Sequence, residues 1–178
     1  GVINSMDVPK GIILEIGGGS TKIVYYNRRN MLNYATLPFG AVTLTDLFKG
    51  DALTPEQQAE KVEEFFTEQL SQIDWLSEVD PDAQMIGVGG SFRNIFKISK
   101  LVRKYPLDTV HNYSLPVENF EYIYDMIKVL DLDKKKKIKG LSSGRADILP
   151  AALAVVKSFV HFMHFENFII GGSGLREG

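Results

Sequence analysis

The chain has 178 residues, of which 44% are hydrophobic and 24% charged, with a formal net charge of -2 and no cysteine. This composition is that of one globular domain with a buried core, and it excludes a disulfide framework, a thiolate nucleophile and a cysteine-type zinc site. The near-neutral charge gives no global basic field, so we expect no nucleic-acid partner.

The sequence is informative about membrane spans, a signal peptide and the two ends of the chain. Its longest apolar stretches, residues 151–156 and 159–165, are too short to span a bilayer. Residues 1–10 lack the basic start and apolar run of a signal peptide. We therefore expect no membrane partner and a cytoplasmic location. The first residue is Gly1, and residues 174–178 resemble the start of another helix, so we expect residues 1–178 to be a single domain cut from a longer protein.

The first half of the chain predicts three strands followed by two helices. Residues 12–16, 22–26 and 31–37 are apolar runs separated by two turns, which is typical of an antiparallel meander. Residues 41–48 predict a short helix. A longer helix begins after Thr54, where Pro55 suits the first helical position and Gln57 completes a capping box.

The second half alternates strands and helices. Residues 84–88 predict a strand whose glycine turn leads into a helix capped by Ser91. Helices are predicted over residues 117–130 and 145–165, and a last strand over residues 167–170. The order β-β-β-α-α-β-α-α-α-β predicts a mixed α/β sheet with helices on both faces.

Three glycine-rich turns follow apolar runs, at residues 17–20, 87–91 and 171–174. Glycine tolerates positive φ and lacks the Cβ that would block an anion, so neighbouring N–H groups can converge on phosphate oxygens. One such turn means little. Three at strand ends indicate a cleft for a phosphorylated substrate.

Five motifs carry a family resemblance, at residues 15–22 (EIGGGSTK), 37–44 (LPFGAVTL), 87–93 (GVGGSFR), 145–150 (RADILP) and 172–178 (GSGLREG). In this order they resemble the Ppx/GppA family of exopolyphosphatases and guanosine pentaphosphate phosphohydrolases, over essentially the whole chain. The resemblance implies an actin-like (ribonuclease H-like) lobe, the second of two that flank the active cleft. It also implies hydrolysis of the terminal phosphoanhydride of inorganic polyphosphate or of pppGpp, with the N-terminal lobe as a partner. We further expect a homodimer.

The first glycine turn supplies most of the expected phosphate site. Its candidates are Gly17, Gly18, Gly19, Ser20 and Thr21, and the alternative is a plain tight hairpin, which needs fewer glycines.

Charged residues flank this turn. Glu15 is expected to hold Mg²⁺ through water, since Mg²⁺ keeps several waters and takes few protein carboxylates. The family usually has Asp at that position, and it usually has Glu where this chain has Lys22. Lys22 is expected to contact substrate phosphate as a point charge, and the alternative is a solvent-facing lysine.

The second turn and two arginines complete the expected site. Gly89, Gly90 and Ser91 open a helix, whose free N–H groups and dipole favour an anion, although Ser91 is equally suited to be only an N-cap. Arg93 lies in the first turn, where a cation opposes the dipole, so phosphate contact or an interlobe salt bridge would explain it. The motif that contains Arg145 resembles one of the family's motifs, which implies that Arg145 forms part of the cleft wall. The alternative is a helix cap with a structural ion pair.

No catalytic residue is expected in this chain. In the resembled family the base is a glutamate in a helix just upstream of the segment that begins here at Gly1, so we expect the isolated chain to be inactive. Two other classes stay open. One is the nucleotide-binding lobe of an actin-like ATPase or sugar kinase, and the other is a non-catalytic sensor of polyphosphate or a guanosine alarmone.

Overall fold

The computed structural model of the chain describes residues 8–50, 52–103, 113–138, 141 and 143–172. In these ranges the strands are β1 (Lys10–Ile16), β2 (Thr21–Asn27), β3 (Asn30–Leu37), β4 (Gln84–Val88), β5 (Tyr113–Pro116) and β6 (Asn167–Ile170). The helices are α1 (Ala41–Leu47), α2 (Pro55–Ser71), α3 (Gly90–Arg103), α4 (Val117–Lys128), α5 (Leu132–Lys135) and α6 (Leu149–Met163). Short 3-10 helices cover Asp74–Glu78 and Ser143–Arg145.

The strands form one mixed sheet in the order β3-β2-β1-β4-β6-β5. β1, β2 and β3 pair antiparallel as the predicted meander, whereas β4 is parallel to both β1 and β6. The register aligns Glu15 near the end of β1 with Val88 at the end of β4. Because these two parallel strands end side by side, the glycine turns that follow them leave the sheet at the same edge.

The two faces of the sheet carry cores of different size. On β1, Ile12 and Leu14 belong to the larger cluster and Ile13 to the smaller one, as the two-residue period of a strand requires. The buried apolar side chains of α1, α2, α3, α4 and α6 all belong to the larger cluster. The mixed α/β class is therefore confirmed, but the helices of the described residues pack on one face rather than on both.

The strand order explains this difference from the prediction. From β1 to β4 to β6 the parallel strands advance across the sheet in one direction. Right-handed crossovers that advance in one direction place their connecting helices on the same face. The sequence pattern predicted the helices but not the direction in which the strands are ordered.

Most predicted elements are found within a few residues of their expected ends. The capping box is confirmed, because Thr54 Oγ1 accepts a hydrogen bond from the Gln57 N–H at 3.1 Å and Gln57 Oε1 accepts one from the Thr54 N–H at 2.9 Å. The predicted helix over 145–165 is shorter, beginning at Leu149. The prediction of Ser91 as an N-cap is wrong, since α3 already begins at Gly90.

β5 was not predicted from the sequence. It has four residues and pairs antiparallel with β6, where it forms one edge of the sheet. A run this short is hard to distinguish from a loop by periodicity. Among the described residues, no helix has both the length and the apolarity needed to cross a bilayer.

Candidate functional site

A pocket of about 310 Å³ lies where β1 and β4 end. Its lining residues are Glu15, Ile16, Gly17, Gly18, Ser20, Lys22, Ala41, Gly89, Gly90, Ser91, Arg93, Arg145 and Ile148. Ten of the twelve residues singled out in the sequence are among them. The first two glycine turns and the two arginines, which are distant in sequence, thus converge on one cavity.

The first glycine turn is oriented by helix α1. The N–H of Ala41 donates to the Gly17 carbonyl at 2.8 Å, and those of Val42 and Thr43 donate to the Gly18 carbonyl at 2.9 and 3.2 Å. In a planar trans peptide the carbonyl and the following N–H point in opposite directions. The N–H groups of Gly18 and Gly19 therefore point away from the N-terminus of α1.

Gly40 makes this arrangement possible. A Cβ at this position would lie 2.6 Å from the carbonyl carbon of Gly18, so no larger residue fits between α1 and the turn. Gly40 was not predicted from the sequence as part of the site, and neither were the pocket-lining Ile16, Ala41 and Ile148. The available signal was a glycine placed directly before a predicted helix.

The second glycine turn opens helix α3. Gly89 has a φ of 96°, a left-handed conformation that glycine adopts without strain. The first turn of any helix leaves its N–H groups without intrahelical acceptors, and here the Arg93 N–H is the first to find one, at 3.0 Å from the Gly89 carbonyl. The N–H groups of Gly90 and Ser91 precede it, at the positive end of the dipole and on the pocket wall.

Two charged side chains lie against the second turn. A Cβ on Gly90 would lie 2.7 Å from Arg145 Cζ, so the guanidinium packs directly on this glycine. A Cβ on Gly89 would lie 3.4 Å from Glu15 Cγ. The absence of a Cβ at Gly90 thus lets Arg145 pack on the start of α3, whereas Glu15 lies at an ordinary contact distance from the Cβ position of Gly89.

The predicted roles of Thr21 and Gly19 need correction. Thr21 is fully buried, and its hydroxyl donates to the Phe39 carbonyl at 2.7 Å, so it holds the turn against the end of β3 instead of lining the pocket. Gly19 does not line the pocket either, and no atom approaches within 4 Å of the place where its Cβ would be.

The third glycine turn lies partly outside the described residues. The Gly171 N–H donates to the Gly87 carbonyl at 2.9 Å, which continues the sheet beyond β6. Neither Gly171 nor Gly172 lines the pocket. Residues 173–178, which complete the predicted turn, are outside the described ranges.

The lining residues fit a divalent cation only together with an anion. In the described ranges, no three His, Asp or Glu side chains are grouped so as to hold a metal ion. Glu15 is the one carboxylate among the lining residues, beside Lys22, Arg93 and Arg145. Mg²⁺ is often held by one or two carboxylates plus substrate phosphates, so Glu15 suits an ion that a phosphate also coordinates.

Fold and pocket together define the class of protein. A three-strand meander, a parallel extension of the sheet and glycine turns at the strand ends make an α/β lobe of the actin-like type with a cationic pocket. The chain belongs to the Ppx/GppA phosphatase family, whose family model matches residues 1–178.

Individual relatives agree with this assignment. The chain is 26% identical to a guanosine-5'-triphosphate,3'-diphosphate pyrophosphatase of Pseudoalteromonas atlantica over 178 residues, covering 94% of this chain and 32% of that protein. The crystal structure of the Aquifex aeolicus family member matches with a TM-score of 0.81 at 24% identity, covering 99% of this chain and 56% of that one. An exopolyphosphatase from Cytophaga hutchinsonii matches with a TM-score of 0.84 at 18% identity, covering 97% and 56%. The chain therefore spans about a third of the length of the curated relatives it matches.

Proposed function

We propose that this chain is the phosphate-binding lobe of a phosphoanhydride hydrolase that acts on the terminal phosphate of inorganic polyphosphate or of pppGpp. The observation that carries the proposal is the convergence of two glycine turns and three cationic side chains on one pocket. The names of a pyrophosphatase and an exopolyphosphatase among its relatives support this substrate class.

The groups around the pocket divide the binding between neutral and charged donors. Backbone N–H groups of Gly18, Gly90 and Ser91 would bind phosphate oxygens, with the Ser20 hydroxyl as a further donor. Lys22, Arg93 and Arg145 would offset the negative charge, and an arginine can bind two phosphate oxygens at once. Donors fixed by the fold need little rearrangement as charge shifts during the reaction.

Hydrolysis needs a second component that this lobe does not provide. A water oxygen bonds to the terminal phosphorus, the bond from that phosphorus to the bridging oxygen breaks, and the shortened chain leaves with the electron pair. A base must take the proton from the water. We propose that this base lies in an upstream helix and that an N-terminal lobe covers the open side of the pocket.

We propose Mg²⁺ as the divalent cation of the reaction, bound to substrate phosphates and, through water, to Glu15. When bound, Mg²⁺ would offset charge on the leaving phosphate. The position of the Glu15 carboxylate beside Gly89 at the pocket wall supports this role. We also propose that the whole protein acts as a homodimer in the cytoplasm.

Amide chemical shifts in the isolated chain test the binding site. Inorganic tripolyphosphate should shift the N–H resonances of Gly18, Gly90 and Ser91 and leave that of Gly50, an exposed glycine outside the pocket, in place. Ser20→Ala should reduce the shifts, and Ser71→Ala, at the exposed end of α2, should not. Shifts confined to the lysine-rich residues 134–137 would contradict the proposal, because they would locate the anion outside the pocket.

An assay of phosphate release tests whether hydrolysis needs a base from outside this lobe. With Mg²⁺ and long-chain polyphosphate, the isolated chain should bind the substrate without releasing measurable phosphate, because the base lies elsewhere. Measurable turnover by the isolated chain would show that an active base lies among these residues and would overturn the proposed arrangement, and Glu15→Gln would then test whether Glu15 is that base.

A further inference from the structure

Glu15 and Lys22 are direct partners across the first two strands. The antiparallel register of β1 and β2 pairs them, and both line the pocket. Directly opposed residues of an antiparallel pair project to the same face, with Cβ atoms about 4.5–5.5 Å apart. The backbone of two hydrogen-bonded strands therefore places both side chains on the pocket side of the sheet, next to the first glycine turn.

The charges around the pocket favour an anion over a cation. Among its lining residues, one carboxylate faces three cations, Lys22, Arg93 and Arg145. A divalent cation entering before any phosphate would meet a net positive site with a single carboxylate. Mg²⁺ gives up its waters reluctantly and needs carboxylates or phosphates in return. A phosphate chain entering alone would instead meet a net positive site that offsets part of its negative charge.

We propose that Lys22 is the resident counter-cation of this pocket, so that the lobe binds a phosphate chain without a divalent cation, and a divalent cation enters only with that chain. The inference rests on the proposed function, since it concerns the same site. It separates substrate binding from the chemical step, two roles that a bound metal ion could otherwise combine. Cations of the protein bind the substrate, and the divalent cation is needed only for the chemical step.

Calorimetric binding of inorganic tripolyphosphate to the 178-residue chain tests the inference, in EDTA and in Mg²⁺. Wild-type binding should persist in EDTA, because the protein's own cations hold the phosphate chain without a divalent cation. Loss of a charge-assisted hydrogen bond in Lys22→Gln should weaken binding in EDTA about tenfold. Lys49→Gln, an exposed lysine outside the pocket, is the matched control and should bind like wild type.

The charge-reversed variant gives a second readout. Lys22→Glu places two carboxylates opposite each other, so its tripolyphosphate binding should require Mg²⁺. Electron paramagnetic resonance of Mn²⁺ alone should show no bound ion in the phosphate-free wild type and a bound ion in Lys22→Glu. Circular dichroism melting confirms that each variant is folded.

The possible outcomes distinguish failure of this inference from failure of the proposed function. Wild-type binding that requires Mg²⁺, or Lys22→Gln binding at wild-type strength, would overturn the inference and leave the proposed function intact. Absence of tripolyphosphate binding in both EDTA and Mg²⁺ would overturn the proposed function as well.

Discussion

Gly40 lies so close to the first glycine turn that a Cβ at its position would be 2.6 Å from the carbonyl oxygen of Gly18. This contact lets the N-terminus of α1 donate to the Gly17 and Gly18 carbonyls. The pocket-facing side of the turn is thus oriented by a glycine that does not itself line the pocket.

Gly40→Ala should therefore displace the turn. We expect overpacking to cost about 1–3 kcal/mol of unfolding free energy, measured by urea denaturation, and tripolyphosphate binding to weaken because the Gly18 N–H moves. Gly19→Ala is the matched control, since no atom lies within 4 Å of its Cβ position. Equal effects of the two substitutions would show that the turn is sensitive to any side chain and that contact with α1 is not its cause.

Arg93 should matter for binding and not for folding. It is exposed in the first turn of α3, where a cation opposes the helix dipole. Arg93→Gln should leave the unfolding free energy unchanged or raise it by about 0.3–1 kcal/mol, while weakening tripolyphosphate binding about tenfold. Binding is measured by calorimetry and stability by urea denaturation.

Lys97 provides the control for that substitution. It is exposed one helical turn further along α3 and does not line the pocket. Lys97→Gln should change neither binding nor its salt dependence. If Arg93→Gln destabilised the chain and left binding intact, Arg93 would be a structural residue.

Motifs in the sequence predicted the residues that line the candidate site better than the residues that hold its turns in position. Glycines followed by a hydroxyl residue are visible as local patterns, and the pocket gathers most of them. Whether a hydroxyl faces the pocket depends on the alternation of side chains along a strand and on its partners. Thr21 and Ser20 are neighbours in sequence, yet Thr21 is buried against the Phe39 carbonyl.

The fold shows the same division between local and long-range information. The capping box at Thr54 and Gln57 is a local signal, and it marked the start of α2 correctly. The edge strand β5 and the location of the helices on one face depend on strand order, which no local pattern encodes. Gly40 belongs to this second group, because only the assembled structure brings it against Gly18.

Thr21 should stabilise the fold without contributing to binding. Thr21→Val keeps the shape but removes the donor to the Phe39 carbonyl, which should cost about 1–3 kcal/mol if that carbonyl loses its only partner. Tripolyphosphate affinity should stay at the wild-type level. Thr36→Val on the exposed edge strand, whose hydroxyl donates to Tyr34 at 2.7 Å, should cost less. A selective loss of binding in Thr21→Val would show instead that this hydroxyl contacts the bound anion.

Tyr26 should make stability fall at alkaline pH. Burial raises the pKa of this tyrosine from 10.0 to about 12, and its hydroxyl donates to the Val8 carbonyl at 2.8 Å. Because the folded-state pKa lies above the unfolded one, the stabilisation is complete below pH 10. It is lost as the pH rises towards 12, by about 3 kcal/mol in all.

Urea denaturation between pH 8 and about 11.5 measures this loss. Tyr26→Phe should be less stable than wild type at pH 8, because the hydrogen bond to Val8 is missing, and its stability should fall less steeply above pH 10. The two stability curves should therefore converge as the pH rises. Tyr34→Phe, at an exposed position on β3, should run parallel to wild type. Parallel curves for Tyr26→Phe as well would show that ionisation of Tyr26 does not drive the alkaline loss of stability.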